Sequence, residues 1–198
     1  MNTVIIDRRE ALRKTAMMMG AAISASAFAG LMQGCKATPE LTYVPRFFSE
    51  DQGRIVMEVA EIIIPKTDTP GAKDVGVPGF IDTMLKDCYK KEDQDRFLEG
   101  LTAFDAEAKA TYGDSFIYCE PEQQVELVTK IHAAAVAEAK ENKEAKRPFI
   151  LMTKELTLLG FFTSEPGATQ VLQYEAVPGA YKGCIPLSEA GNGKTWAT

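Results

Sequence analysis

Histidine is almost missing from this chain: His132 is its single copy. One imidazole excludes histidine-rich metal sites and leaves any serine–histidine–acid arrangement a single possible base. The sequence has no Gly-x-Ser-x-Gly elbow, no Gly-x-Gly-x-x-Gly fingerprint and no Gly-x-x-x-x-Gly-Lys loop, so no recognisable device binds a nucleophile's substrate, a flavin or a nicotinamide. Cysteine is scarce, and Cys35, Cys88, Cys119 and Cys184 are never spaced as Cys-x-x-Cys, which removes thiolate knuckles and haem attachment. No basic stripe exists, and the formal net charge is −6. That balance argues against nucleic acid and against anionic lipid heads as partners. The acidic residues fall where solvated helix faces would place them. Glu92, Asp93 and Asp95 read as a helix N-terminus favoured by its dipole rather than a pair of glycosidase acids. His132 reads as a surface or half-buried residue of a helix. No catalytic, cofactor-binding or metal-ligating residue is assigned.

What is present is concentrated first at the N-terminus. Asp7-Arg8-Arg9-Glu10-Ala11-Leu12-Arg13-Lys14 is a basic head, and Thr15 to Gly34 is free of charge. The span ends at Leu31-Met32-Gln33-Gly34-Cys35. A basic region, a weakly apolar span and a small residue before cysteine read as an export signal with a lipid-attachment cysteine. Gly20, Ser24, Ser26 and Gly30 interrupt the span, which suits a cleaved twin-arginine signal at Arg8 and Arg9 better than a permanent anchor. Two alternatives stay open: an ordinary secretory signal, and cleavage near Cys35 that leaves a soluble product. The expected location is the periplasm, at a membrane face, with Cys35 acylated. The twin-arginine route carries folded chains, so a cofactor must be taken up beforehand by this chain or by a bound partner. With no cofactor device visible here, the partner is the one that needs folding.

Beyond Cys35 no run is long and apolar enough to span a bilayer, and strand-like alternation is nearly absent. The expected fold is mainly α, a bundle of about five helices. Residues 1–34 form the signal, 35–48 an irregular tether, 49–186 the helical domain and 187–198 a tail. Ser49 and Gln52 form a capping box ahead of Ile55, Val56, Val59, Ile62 and Ile63, and Pro65 stops that helix. A second helix opens at Pro78 with Phe80, Ile81, Met84, Leu85 and Cys88 on its inner face. A third spans about Asp93 to Tyr112, turning Phe97, Leu98, Leu101, Phe104 and Ala108 inward, with Gly113 beyond it. The fourth starts at Pro121 and turns Val125, Val128, Ile131, Ala135 and Val136 inward before the charged stretch Glu138 to Arg147. The fifth covers about Pro148 to Phe162.

From Ser164 onward the chain is rich in proline and glycine and lacks period. Tyr174, Val177, Tyr181, Ile185 and Trp196 are its apolar anchors. Docking on a partner and packing on the chain's own core are both open for this tail. The pairing of Cys88, Cys119 and Cys184 is also open: buried thiols or an interchain bond at Cys184. Between the first two helices, Thr67-Asp68-Thr69-Pro70-Gly71 places proline then glycine as in a type II turn.

That turn, preceded by Ile64-Pro65 and followed by Ala72 and Phe80-Ile81-Asp82, resembles the gluconate 2-dehydrogenase subunit 3 family. So do Leu156-Thr157-Leu158-Leu159-Gly160-Phe161-Phe162-Thr163-Ser164-Glu165 and Tyr174-Glu175-Ala176-Val177-Pro178-Gly179-Ala180-Tyr181-Lys182-Gly183-Cys184. The resemblance covers about Ser49 to Pro186. It implies a non-catalytic small subunit of a membrane-bound dehydrogenase that oxidises a sugar, sugar acid or alcohol. The implied partners are a large subunit carrying FAD and, in a third subunit, a cytochrome with haem c. It also implies assembly with the flavoprotein and escort of the folded pair through export. The partner surface expected on this basis comprises Thr67, Asp68, Thr69, Pro70 and Gly71 with Tyr174, Pro178, Gly179, Tyr181 and Cys184. The competing reading is a free-standing periplasmic lipoprotein whose bundle binds something else.

Overall fold

The computed structural model describes residues 38–177, 179–180, 183–189 and 193–197. Arg8, Arg9 and Cys35 lie outside the described residues, as do Pro178 and Tyr181. The described chain is helical, with α1 at Glu50–Ile63, α2 at Val77–Cys88, α3 at Lys91–Tyr112, α4 at Pro121–Glu141 and α5 at Phe149–Phe162. A single 3-10 turn, Phe116–Tyr118, joins α3 to α4, and a π-helical turn, Gly167–Val171, follows α5. Among the described residues the only β pairing is one parallel bridge between Gln173 and Trp196. The mainly α expectation is met.

Local chemistry sets these boundaries. The Ser49 hydroxyl accepts the Gln52 amide at 3.3 Å, and Gln52 Oε1 accepts the Ser49 amide at 3.0 Å. This reciprocal box satisfies two donors that the first turn of α1 leaves over. Helix α2 enters from Gly76, whose φ of 77° lies in the left-handed region, with Pro78 in its first turn. Helix α3 begins with Glu92 and Asp93 and ends on Gly113 at φ 83°, so the acidic cluster is a helix start as expected.

Helix α5 is the axis of the bundle and packs against all four other α-helices. Two glycines permit that closeness. A Cβ on Gly100 would lie 2.6 Å from Phe149 Cβ, and one on Gly160 would lie 2.6 Å from the Phe80 ring. Without them, α3 and α2 would stand further from α5 and open voids that each cost core packing. A run of aromatic contacts crosses the core, from Phe48 through Phe97, Phe149 and Phe104 to Phe116, with centroid separations of 5.7, 4.9, 5.5 and 4.8 Å. Thr153 and Thr157 are buried on α5, and each hydroxyl donates to a carbonyl one turn back, Phe149 at 2.9 Å and Thr153 at 2.7 Å. Their polar atoms are therefore satisfied within the helix.

Three expectations need correction. Cys88, placed on the inner face of α2, is exposed, because the last turn of that helix runs past the core. Val125, placed on the inner face of α4, is 49% exposed, and Leu127 is buried in its stead. The segment before α1 is irregular as expected, yet it is not a loose tether from residue 38 onward. It lies as a strap over α1 and α2. The Pro39 carbonyl accepts Arg54 Nε at 3.0 Å, and the Tyr43 ring packs on Gly79. The buried Asp82 carboxylate accepts the amides of Arg46 at 2.8 Å, Phe47 at 3.2 Å and Phe48 at 3.0 Å. Phe48 thereby enters the core.

Candidate partner surface

The turn after α1 is built around Glu61. Its two carboxylate oxygens accept the amides of Lys66 at 3.0 Å and Lys73 at 2.9 Å, so one side chain clamps both ends of the excursion. Gly71 is buried beneath that carboxylate, and a Cβ there would stand 2.3 Å from Glu61 Oε1. The type II reading is corrected here: Gly71 is not among the residues with positive φ, whereas Gly76 is. Gly71 is required by the close approach of a carboxylate, not by a left-handed backbone. The Gly71 amide donates to Asp74 Oδ2 at 3.3 Å, and the same carboxylate pairs with Lys66 at 3.0 Å. That ammonium and the amide hold the Asp74 carboxyl below its ordinary pKa, Lys66 contributing most. Thr67 and Asp68 project to solvent, Thr69 and Pro70 are half-buried, and Ala72 is fully buried. The turn is thus largely occupied in fastening α1 to α2, with Thr67 and Asp68 as its outward tip.

The tail residues stand differently. Tyr174 is 61% exposed and Val177 79%, and Gly179 and Cys184 are exposed too. Among the described residues, no hydrogen bond or ion pair joins 67–71 to 174–184. Ile185, Leu187 and Trp196 are likewise exposed, so the described tail does not bury its anchors in the chain's own core.

A surface that the spacing did not single out lies on α5. Its inward side is Phe149, Ile150, Met152, Thr153, Leu156, Thr157, Gly160 and Phe161. The opposite side carries Leu151, Lys154, Glu155, Leu158, Leu159 and Phe162. Leu158 is 37% exposed and Leu159 47%. A solvent-facing helix side normally carries charge, whereas four of these six residues are apolar. The signal was present as a helix with apolar residues on every side and charge only at Lys154 and Glu155. Such a helix is expected to be covered on all sides, and here Leu158 and Leu159 are left exposed while Leu151 and Phe162 pack partly against the core.

His132 on α4 is half-buried, as expected, and Lys154 Nζ of α5 lies 3.0 Å from its Nε2. An ammonium has no lone pair, so Nε2 is the acceptor and Nδ1 carries the proton. Burial and then the Lys154 charge push the imidazolium pKa below 6.5. The folded state therefore disfavours the proton relative to the unfolded chain. Stability is expected to be full above pH 6.5 and to fall below it, until the folded ring itself protonates. Urea midpoints measured between pH 7.5 and 5 check this. The loss in that window is expected to shrink in His132→Gln.

Among the described residues no three His, Cys, Asp or Glu side chains are grouped to hold a metal ion. The three described cysteines are not joined by disulfides, and the buried Cys119 thiol lies 3.5 Å from the Ser115 carbonyl. Among the described residues no helix is long and apolar enough to cross a membrane. The outstanding chemistry of this surface is unspent apolar area. Neither a curated protein nor a solved structure matches the chain. Residues 50–179, which contain all five helices, the clamped turn and the first part of the tail, match the family model for gluconate 2-dehydrogenase subunit 3. The chain belongs to that family.

Proposed function

We propose that this chain is the non-catalytic small subunit that assembles with an FAD-dependent dehydrogenase acting on a sugar, sugar acid or alcohol, and escorts it folded through the twin-arginine route. Membership of a dehydrogenase-subunit family supports a dehydrogenase partner. The observation that carries the assembly reading is the exposed apolar pair Leu158 and Leu159 on the outer side of α5, with Leu151 and Phe162 half-buried at its edges, beside Lys154 and Glu155. An apolar centre with charged flanks is the composition of a protein interface. In this reading FAD resides in the large subunit and haem c in a cytochrome subunit. Arg8 and Arg9 address the assembly for export, and Cys35 holds it at the membrane. Thr67, Asp68 and the exposed tail add to the contact.

The test is pull-down of the tagged chain from its own cells, followed by fractionation. The wild type is expected to bring down a larger chain with a flavin absorbance spectrum, recovered from the periplasmic side. Leu158→Lys with Leu159→Lys is expected to reduce recovered flavin at least tenfold while leaving the melting temperature of the isolated subunit unchanged. Arg8→Lys with Arg9→Lys is expected to keep the complex intact but in the cytoplasm. A colourless, solitary product would overturn assembly, and a partner still exported with the double lysine signal would overturn escort.

A further inference from the structure

A groove lies between α1, α4 and α5, with a volume of about 270 Å³, and meets the outer side of α5 at Lys154. Ile62 and Ile63 of α1, Val125 and Val128 of α4 and Ile150 of α5 form its walls, and Lys154 with His132 forms its polar end. We propose that this groove binds a small amphiphilic carboxylate, with the apolar chain along the isoleucine and valine walls and the carboxylate on Lys154.

Charge carries the proposal. Lys66, Lys73, Lys91, Lys109 and Lys130 each face a carboxylate. Lys154 is half-buried, and among the described residues its one hydrogen-bond partner is the His132 ring. A partly desolvated ammonium whose neighbour is neutral retains an uncompensated charge, and an entering anion offsets it. The imidazole positions the ammonium by accepting one of its three protons, which leaves two N–H groups to donate. The bonds from ammonium to carboxylate are charge-assisted and thus stronger than neutral ones. The walls then select the rest of the ligand. Apart from the Thr129 hydroxyl they offer aliphatic carbon, so a polyhydroxylated acid would bury most of its hydroxyls without partners. An acid with a short hydrocarbon chain instead removes apolar surface from water on both sides. The site is therefore distinct in chemistry from one for a sugar acid, and its lining comes from this chain.

The experiment is an NMR titration of the purified chain with hexanoate, hexan-1-ol and gluconate, read at the methyl groups of Ile62, Val125 and Val128. Hexanoate is expected to give saturable shifts. Hexanol is expected to bind at least tenfold more weakly, and gluconate to give none at these methyls. Lys154→Met is expected to bring hexanoate down to the level of hexanol. Val125→Trp, placed where the side chain is half exposed, is expected to close the groove to both. Unchanged melting temperatures of the two variants confirm that they fold. Equal binding of hexanoate and hexanol, shifts that never saturate, or full hexanoate affinity in Lys154→Met would each overturn the site. Because the readout needs no flavoprotein, its failure is distinguishable from failure of the subunit reading.

Discussion

Replacing Asp82 with alanine is expected to lower the unfolding free energy by about 3–5 kcal/mol, a large share of the roughly 5–15 kcal/mol typical of a domain. The size follows from what the carboxylate holds. It is 1% exposed and accepts three consecutive backbone amides, of Arg46, Phe47 and Phe48. Its removal orphans three donors, of which the Phe48 amide is buried and those of Arg46 and Phe47 partly so. It also frees the strap that seats Phe48 against Phe97 at 5.7 Å. Asp82→Asn keeps the volume and one acceptor oxygen but turns an NH2 toward a backbone amide, so it is expected to recover only part of the loss. Urea denaturation measures the magnitude. Amide exchange at residues 46–48 locates it: these amides are expected to lose protection first, and equal protection in the variant would sink the account.

Gly71→Ala is the second large effect, about 2–3 kcal/mol of destabilisation by overpacking and a displaced clamp. The new methyl would occupy the place of Glu61 Oε1, 2.3 Å from its centre. The carboxylate has to move, and its bonds to the amides of Lys66 and Lys73 go with it. A double-mutant cycle with Glu61→Ala isolates this mechanism, because removing the carboxylate makes room for the methyl. The two changes together are expected to cost clearly less than their sum. Simple additivity would instead point to a backbone requirement at Gly71. If the turn is fastening rather than partner contact, Gly71→Ala lowers the stability of the isolated subunit first.

Much of the helical fold was legible because its boundaries are written in local chemistry. Ser49 with Gln52, Pro121, Gly113 and the proline at 65 each act within a few residues of themselves. A reading of the chain therefore finds α1, α3 and α4 close to their observed limits. What escaped it depends on contacts between distant residues. Asp82 lies in the stretch Phe80-Ile81-Asp82, where helical spacing marks it as polar and nothing marks it as buried. Its partners lie 34 to 36 residues earlier. Gly71 beneath Glu61 is the same kind of event, and the Pro-Gly dipeptide pointed instead to a turn type the backbone does not adopt. Val125 and Cys88 fit an apolar stripe by spacing, yet they lie outside the core's footprint, where the period alone has no information. On α5 the period is blank. A helix with apolar residues on every side gives little direction, and the packing of its four neighbours shows that Leu158 and Leu159 are left outward.

The central position of α5 has a consequence for how the chain comes into being. Of the five α-helices, the one that all the others need is the last to leave the ribosome. Until residues 149–162 emerge, α1 and α2 can dock on each other, but the four helices have no shared axis to close around. Collapse therefore waits for long-range contacts, which slows folding and lengthens the time that apolar faces are open to capture. Chaperone engagement is expected to persist through most of synthesis and to end abruptly once α5 is released. Completion of the core thus rests on the last α-helix made: a chain truncated before it stops at the fastened α1–α2 pair, with its remaining apolar faces uncovered.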